Sequence, residues 1–144
     1  MRSYDTKGNW MPAVHIDHLA VVVEDLDAAL RFWRDALGLA LDRIEDIPTE
    51  AVQAAFLTIG GAHVELLKPT SDDSGIARYL AKHGGGMHHL CLGVEDIEAA
   101  LAQIAAQGFE LINETPRTRA DGTRYAFVHP KSTGGVMIEL YQKP

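Results

Sequence analysis

The chain has 144 residues, 47% of them hydrophobic, which suits one domain or two half-sized modules sharing a core and leaves little room for disorder. A net charge of −7 argues against sequence-independent nucleic-acid binding, which needs Lys and Arg to displace counterions from phosphates. The lone Cys91 excludes an internal disulfide and fits a reducing compartment, and no apolar run approaches the roughly 20 residues of a membrane span.

The leader, residues 1–13, lacks the apolar core of a signal peptide and reads as a loose extension, so the protein is expected to be cytoplasmic. His15 to Val23 is rich in β-branched residues and predicts a strand. Asp25 is placed to cap a helix whose apolar residues Leu26, Ala29, Leu30, Phe32 and Trp33 recur at helical spacing until Gly38 ends it. Strands are expected at about Leu39 to Asp46, Ala51 to Ile59 and Ala62 to Lys68, the last two joined by Gly60-Gly61. Residues 14–70 thus form a βαβββ module. Ser74 then caps a short helix, Gly75 to His83, inside a linker over 71–86. A second βαβββ module, 87–144, follows with a strand from Met87 to Val94, a helix from Asp96 to Gln107, and strands near Phe109 to Asn113, Thr123 to His129 and Val136 to Gln142.

The second module repeats the first in residues as well as in order. Val23-Glu24-Asp25-Leu26-Asp27-Ala28-Ala29-Leu30 recurs 71 residues later as Val94-Glu95-Asp96-Ile97-Glu98-Ala99-Ala100-Leu101. His18 and His89 share that offset, as do Ala55-Phe56 and Ala126-Phe127. Val64-Glu65-Leu66 answers Ile138-Glu139-Leu140 at an offset of 74, so the later copy holds three extra residues.

Alternation along a strand decides which side chains share a face. Glu139 faces the way of Met137 and Tyr141, and Glu65 the way of His63 and Leu67, while aliphatic Ile138, Leu140, Val64 and Leu66 face the helices. His18 then shares a face with Ala20, and His89 with Cys91 and Gly93, small neighbours that leave room for a ligand. Two imidazoles and two carboxylates, His18, Glu65, His89 and Glu139, suit a divalent ion such as zinc, cobalt, nickel or manganese. Taken singly, each would more readily be a hydrogen-bonded core histidine or an edge-strand glutamate; their recurrence at matching places in a duplicated unit favours a site. His15, His83 and His88 read as structural, and His63 as a candidate neighbour of the ligands. No P-loop, dinucleotide fingerprint or nucleophile elbow occurs.

With these four residues in place, residues 14–143 resemble the vicinal oxygen chelate superfamily of glyoxalase I, extradiol dioxygenases, fosfomycin resistance proteins and methylmalonyl-CoA epimerases. The likeness is strongest to the epimerases, through Ile16-Asp17-His18-Leu19-Ala20, Glu65-Leu66-Leu67-Lys68-Pro69, Gly86-Met87-His88-His89-Leu90 and His129-Pro130-Lys131 leading into Ile138-Glu139-Leu140. The resemblance implies an α+β fold whose two βαβββ modules form a curved mixed sheet around a metal-binding cleft. It also implies an acyl-CoA substrate and epimerisation of methylmalonyl-CoA by α-proton abstraction through a metal-stabilised enolate.

Inversion at carbon needs a base on one face and an acid on the other. Glu50-Ala51-Val52 is similar to an epimerase segment that carries one such base, with alanine where those relatives have glycine. Glu50 and the ligand Glu139 are therefore the expected proton-transfer pair, with Glu65 in reserve. A glyoxalase I acting on a glutathione hemithioacetal would use the same ligands, whereas a dioxygenase would leave Glu65 surplus. A non-catalytic drug-sequestering protein would not need all four. Arg119, Arg124 and Lys131 are the cations near the later loop, and a homodimer is expected from the superfamily and from sheet edges that need cover.

Overall fold

The structure, a computed structural model, describes residues 2–144. Its contacts divide the chain into two compact units, one made of His18–His88 and the other of the described residues up to Asp17 together with His89–Pro144. Strand β1 (Ala13–Val22) crosses from one to the other.

In the unit His18–His88, β1 leads into α1 (Leu26–Leu30), and β2 (Ala40–Ile47), β3 (Val52–Ile59), β4 (Ala62–Pro69) and α2 (Gly75–His83) follow. The sheet order is β2-β3-β4-β1, antiparallel except for the parallel β1–β4 pair. The Asp25 carboxylate accepts from the Ala28 amide and starts α1 as expected. Only five residues are α-helical; Arg31–Ala36 widen into a π-helix in which the Leu37 amide donates to the Phe32 carbonyl, and Gly38 ends the segment at φ 79°. Leu26 and Leu30 pack on Ala55, Leu57, Val64 and Leu66, the aliphatic face anticipated for β4. The opposite face carries a smaller cluster of Ala20, Val52, Ala54 and Leu67 with Ile76 of α2 against it.

The second unit repeats the pattern with β5 (Gly86–Val94), α3 (Ile97–Ala106), β6 (Arg117–Thr118), β7 (Arg124–Val128) and β8 (Met137–Gln142). Its order is β5-β8-β7-β6, again with a parallel first pair. Asp96 caps α3 through the Ala99 amide, and Ile97, Ala100 and Leu101 pack on Ala126, Val128 and Leu140. The strand expected near Phe109 to Asn113 does not form. Leu111 makes one isolated bridge to Val128, and the Asn113 side-chain oxygen, in place of a backbone carbonyl, accepts from the Phe127 amide. The Ser132 hydroxyl binds both backbone groups of Glu110, and pairing resumes only at β6. The three extra residues of the later copy lie in the β7–β8 connection, where a 3-10 turn at Pro130–Ser132 replaces the Gly60-Gly61 hairpin.

The leader is folded over most of its length: Tyr4 bridges Trp10, the Asp5 carboxylate accepts from the Lys7 and Asn9 amides, and the Ser3 hydroxyl donates to Glu95. No helix among the described residues is long and apolar enough to cross a membrane.

Candidate active site

The histidine and glutamate of each copy meet within their own unit. In His18–His88, the parallel register opposes His18 to His63 and Ala20 to Glu65. This brings the buried His18 Nδ1 within 2.9 Å of Glu65 Oε2. In the other unit, His89 opposes Met137 and Cys91 opposes Glu139, which is the same relation between copies. There His89 Nε2 lies 3.6 Å from Glu139 Oε1, and Glu139 is 1% exposed. Phe56 and Phe127, also related by the repeat, pair with Glu65 and Glu139 on the neighbouring strands. The Phe127 ring meets His89 edge to face at 5.8 Å.

A charged side chain held at such burial demands a partner. Two nitrogen or oxygen donors bound to one ion at about 2.0–2.2 Å, with octahedral to tetrahedral angles between them, lie roughly 2.8–3.6 Å apart, so both His–Glu separations suit donors that share a cation. The shorter one equally suits an imidazole N–H donating to a carboxylate. The donor chemistry, two imidazoles and two carboxylates, fits a divalent ion of the zinc, cobalt, nickel or manganese type.

The two glutamates differ in their remaining surroundings. Glu139 Oε2 is 3.3 Å from an Arg119 nitrogen, and the guanidinium lies over the rings of Tyr125 at 4.2 Å and Tyr141 at 5.9 Å. Burial pushes the Tyr141 phenol above its ordinary value, with Arg119 pulling the other way. In the earlier unit an arginine also stacks on an aromatic, Arg43 at 3.9 Å over Phe56, but it binds Asp42 and Glu45. Sequence reasoning reached Arg119 only as one of three cations. The structure sorts them: Arg124 bonds Glu98 of α3 at 2.6 Å, and Lys131 faces Glu110 at 4.0 Å on the surface. Arg119 could not be singled out because it lies 20 residues from Glu139, outside every repeated segment.

Glu50 is exposed in the turn between β2 and β3. Val52 pairs with Pro69, four ladder positions from Phe56 and Glu65, and Glu50 lies beyond it. Its neighbour Ala51 is the one described non-glycine residue with a left-handed backbone, at φ 53°. The other histidines have local tasks. His83 and His88 both pack on Tyr79, and His129 Nδ1 accepts from the Lys131 amide. The His15 ring occupies the space beside Gly93, where an added Cβ would fall 2.0 Å from it.

Residues 17–127 match the Glyoxalase/Bleomycin resistance protein/Dioxygenase superfamily. The chain belongs to that superfamily. Within it, the mitochondrial methylmalonyl-CoA epimerase of Mus musculus is 37% identical over 128 residues, covering 88% of this chain and 72% of its own length. An ethylmalonyl-CoA/methylmalonyl-CoA epimerase of Cereibacter sphaeroides is 36% identical over 129 residues, covering 88% of this chain and 96% of the relative. Among solved structures, a Streptomyces coelicolor methylmalonyl-CoA epimerase in complex with 2-nitronate-propionyl-CoA superposes with a TM-score of 0.80 at 34% identity, covering 91% of this chain and 95% of that one. The superfamily's α+β architecture, mixed sheets with a few helices, is the one described above.

Proposed function

We propose that this protein is an epimerase of methylmalonyl-CoA, acting on the α-carbon between the thioester and the free carboxylate. The observation that carries the reading is the repeated register that gives each unit one buried or half-buried His–Glu pair, in a chain matched nearly end to end by epimerases of malonyl-type thioesters. His18, Glu65, His89 and Glu139 would together hold one divalent cation. When bound, such an ion supplies Lewis-acid stabilisation of the negative charge that develops on the thioester oxygen.

The chain's own groups move the proton. Glu139 and Glu50 are the opposed acid and base, one taking the α-proton and the other delivering a proton to the opposite face. The small residues Ala20 and Cys91, beside the histidines and opposite the glutamates in the ladders, leave space where longer side chains would stand. Two concavities within the second unit contain none of the four donors. The larger, about 700 Å³, is rimmed by Glu98, Glu110 and Glu114, which would repel the phosphates of coenzyme A. A homodimer in the cytoplasm belongs to the same reading, supported by the terminal strand β2 with its exposed Ile44 and by the use of a single cysteine, Cys91, which suits a reducing compartment.

Proton NMR of methylmalonyl-CoA in heavy water tests the reaction. The α-proton signal should vanish rapidly with metal-loaded enzyme and persist when the metal is chelated. Glu50→Gln should cut exchange by about 100-fold or more, in line with the loss of a general base. Near-normal exchange in Glu50→Gln, together with a dead but metal-binding Glu65→Gln, would transfer the second proton-transfer role to Glu65.

A further inference from the structure

We propose that Arg119 is a positioning residue that commits Glu139 to a single donor oxygen; this rests on the metal-dependent epimerase reading. The carboxylate has its two oxygens in different company: Oε1 faces His89 at 3.6 Å, and Oε2 faces the Arg119 guanidinium at 3.3 Å. Glu139 is almost wholly buried, so its rotation is already confined by packing between β5 and β7. Arg119 is itself fixed by the Tyr125 ring, and Tyr125 pairs with Tyr141 across the β7–β8 ladder. A planar guanidinium stacked on an aromatic presents its N–H edge in one direction, which a lysine ammonium on a flexible stem does not. Arg119 thus engages one lone pair of Oε2 and turns Oε1, the oxygen on the histidine side, toward the place where a cation would be held, while the second lone pair of Oε2 serves the proton-transfer role. Among the described residues Glu65 pairs with His18 and with no guanidinium, so an arginine marks out the carboxylate of the later copy.

Cobalt(II)-loaded protein reports this directly, because its visible absorption depends on coordination number. Arg119→Met should release Oε2, shift the cobalt bands and weaken metal affinity by about 10- to 100-fold, the usual effect of removing a partner that orients a ligand. On methylmalonyl-CoA, kcat should fall with KM nearly unchanged. Arg119→Lys should fail to restore the spectrum, since charge without the stacked plane does not fix the carboxylate. Arg124→Met, which removes a neighbouring arginine bound to Glu98, should leave the spectrum as in the natural protein. Should Arg119→Met not fold, as judged by its metal-free thermal transition, Tyr125→Leu keeps the arginine while removing its support and should shift the same bands. An unchanged cobalt spectrum and affinity in Arg119→Met, or full restoration by lysine, would overturn the proposal. Inactivity of the natural protein towards methylmalonyl-CoA would instead overturn the substrate reading and leave the spectral comparison standing.

Discussion

Ala51 holds a conformation that its side chain resists. A left-handed backbone places Cβ against the following carbonyl, a strain that glycine escapes, while glycine loses more freedom on folding. The first effect is the larger at such a site, so Ala51→Gly should stabilise the protein by about 0.5–1 kcal/mol. Urea unfolding checks this: the midpoint should rise with the slope unchanged. Likeness to a segment carrying glycine at this place was readable in the sequence, and the backbone supplies the reason for it. Arg119 shows the opposite case. Its partner Glu139 is distant in sequence, and an isolated arginine in a loop carries no periodicity from which its contact could be foretold.

The repeated helices begin on the same chemistry, an aspartate whose carboxylate accepts from the amide three residues on. Asp25→Ala and Asp96→Ala should each cost about 1 kcal/mol, measured by thermal or urea unfolding, and nearly equal losses would reflect the equivalence of the copies. Where local signals governed an element, it was legible: capping aspartates, helix-ending glycines, the Gly60-Gly61 turn and the alternation of β4 and β8 all appear as expected. The strand near Phe109 to Asn113 was not, because side-chain bonds from Asn113 and Ser132 take backbone partners that a ladder would have used. Nor was the π-helical widening at Arg31–Ala36, whose amphipathic spacing looks like that of an ordinary helix until the hydrogen bonds are seen.

For the molecule as a whole, the four proposed ligands are two from each unit, and the proposed sharing of one cation carries a thermodynamic signature. A ligand that binds only the folded state stabilises it by about 2.7 kcal/mol at a concentration 100 times its dissociation constant. Chelation should therefore lower the unfolding temperature, and metal analysis should find one ion per chain. His18→Ala and His89→Ala should each remove most of the metal-dependent stabilisation, with the double variant losing little more. Two ions per chain, or additive losses, would mean that each His–Glu pair serves separately. The meeting of a histidine with a glutamate inside each unit was legible from the sequence because duplication repeats strand alternation as well as residue identity, so corresponding faces could be compared.

The three added residues of the later copy sit in the Pro130–Ser132 connection, and the ladder that opposes Cys91 to Glu139 still mirrors the one that opposes Ala20 to Glu65. A lengthening inside β8 by one residue would instead have turned Glu139 toward the helices and Leu140 toward the histidine. Evolution of the doubled gene was therefore free to vary the hairpin's size, while the strands tolerate no such change, and an engineer wishing to graft a new loop onto this scaffold should cut at that corner.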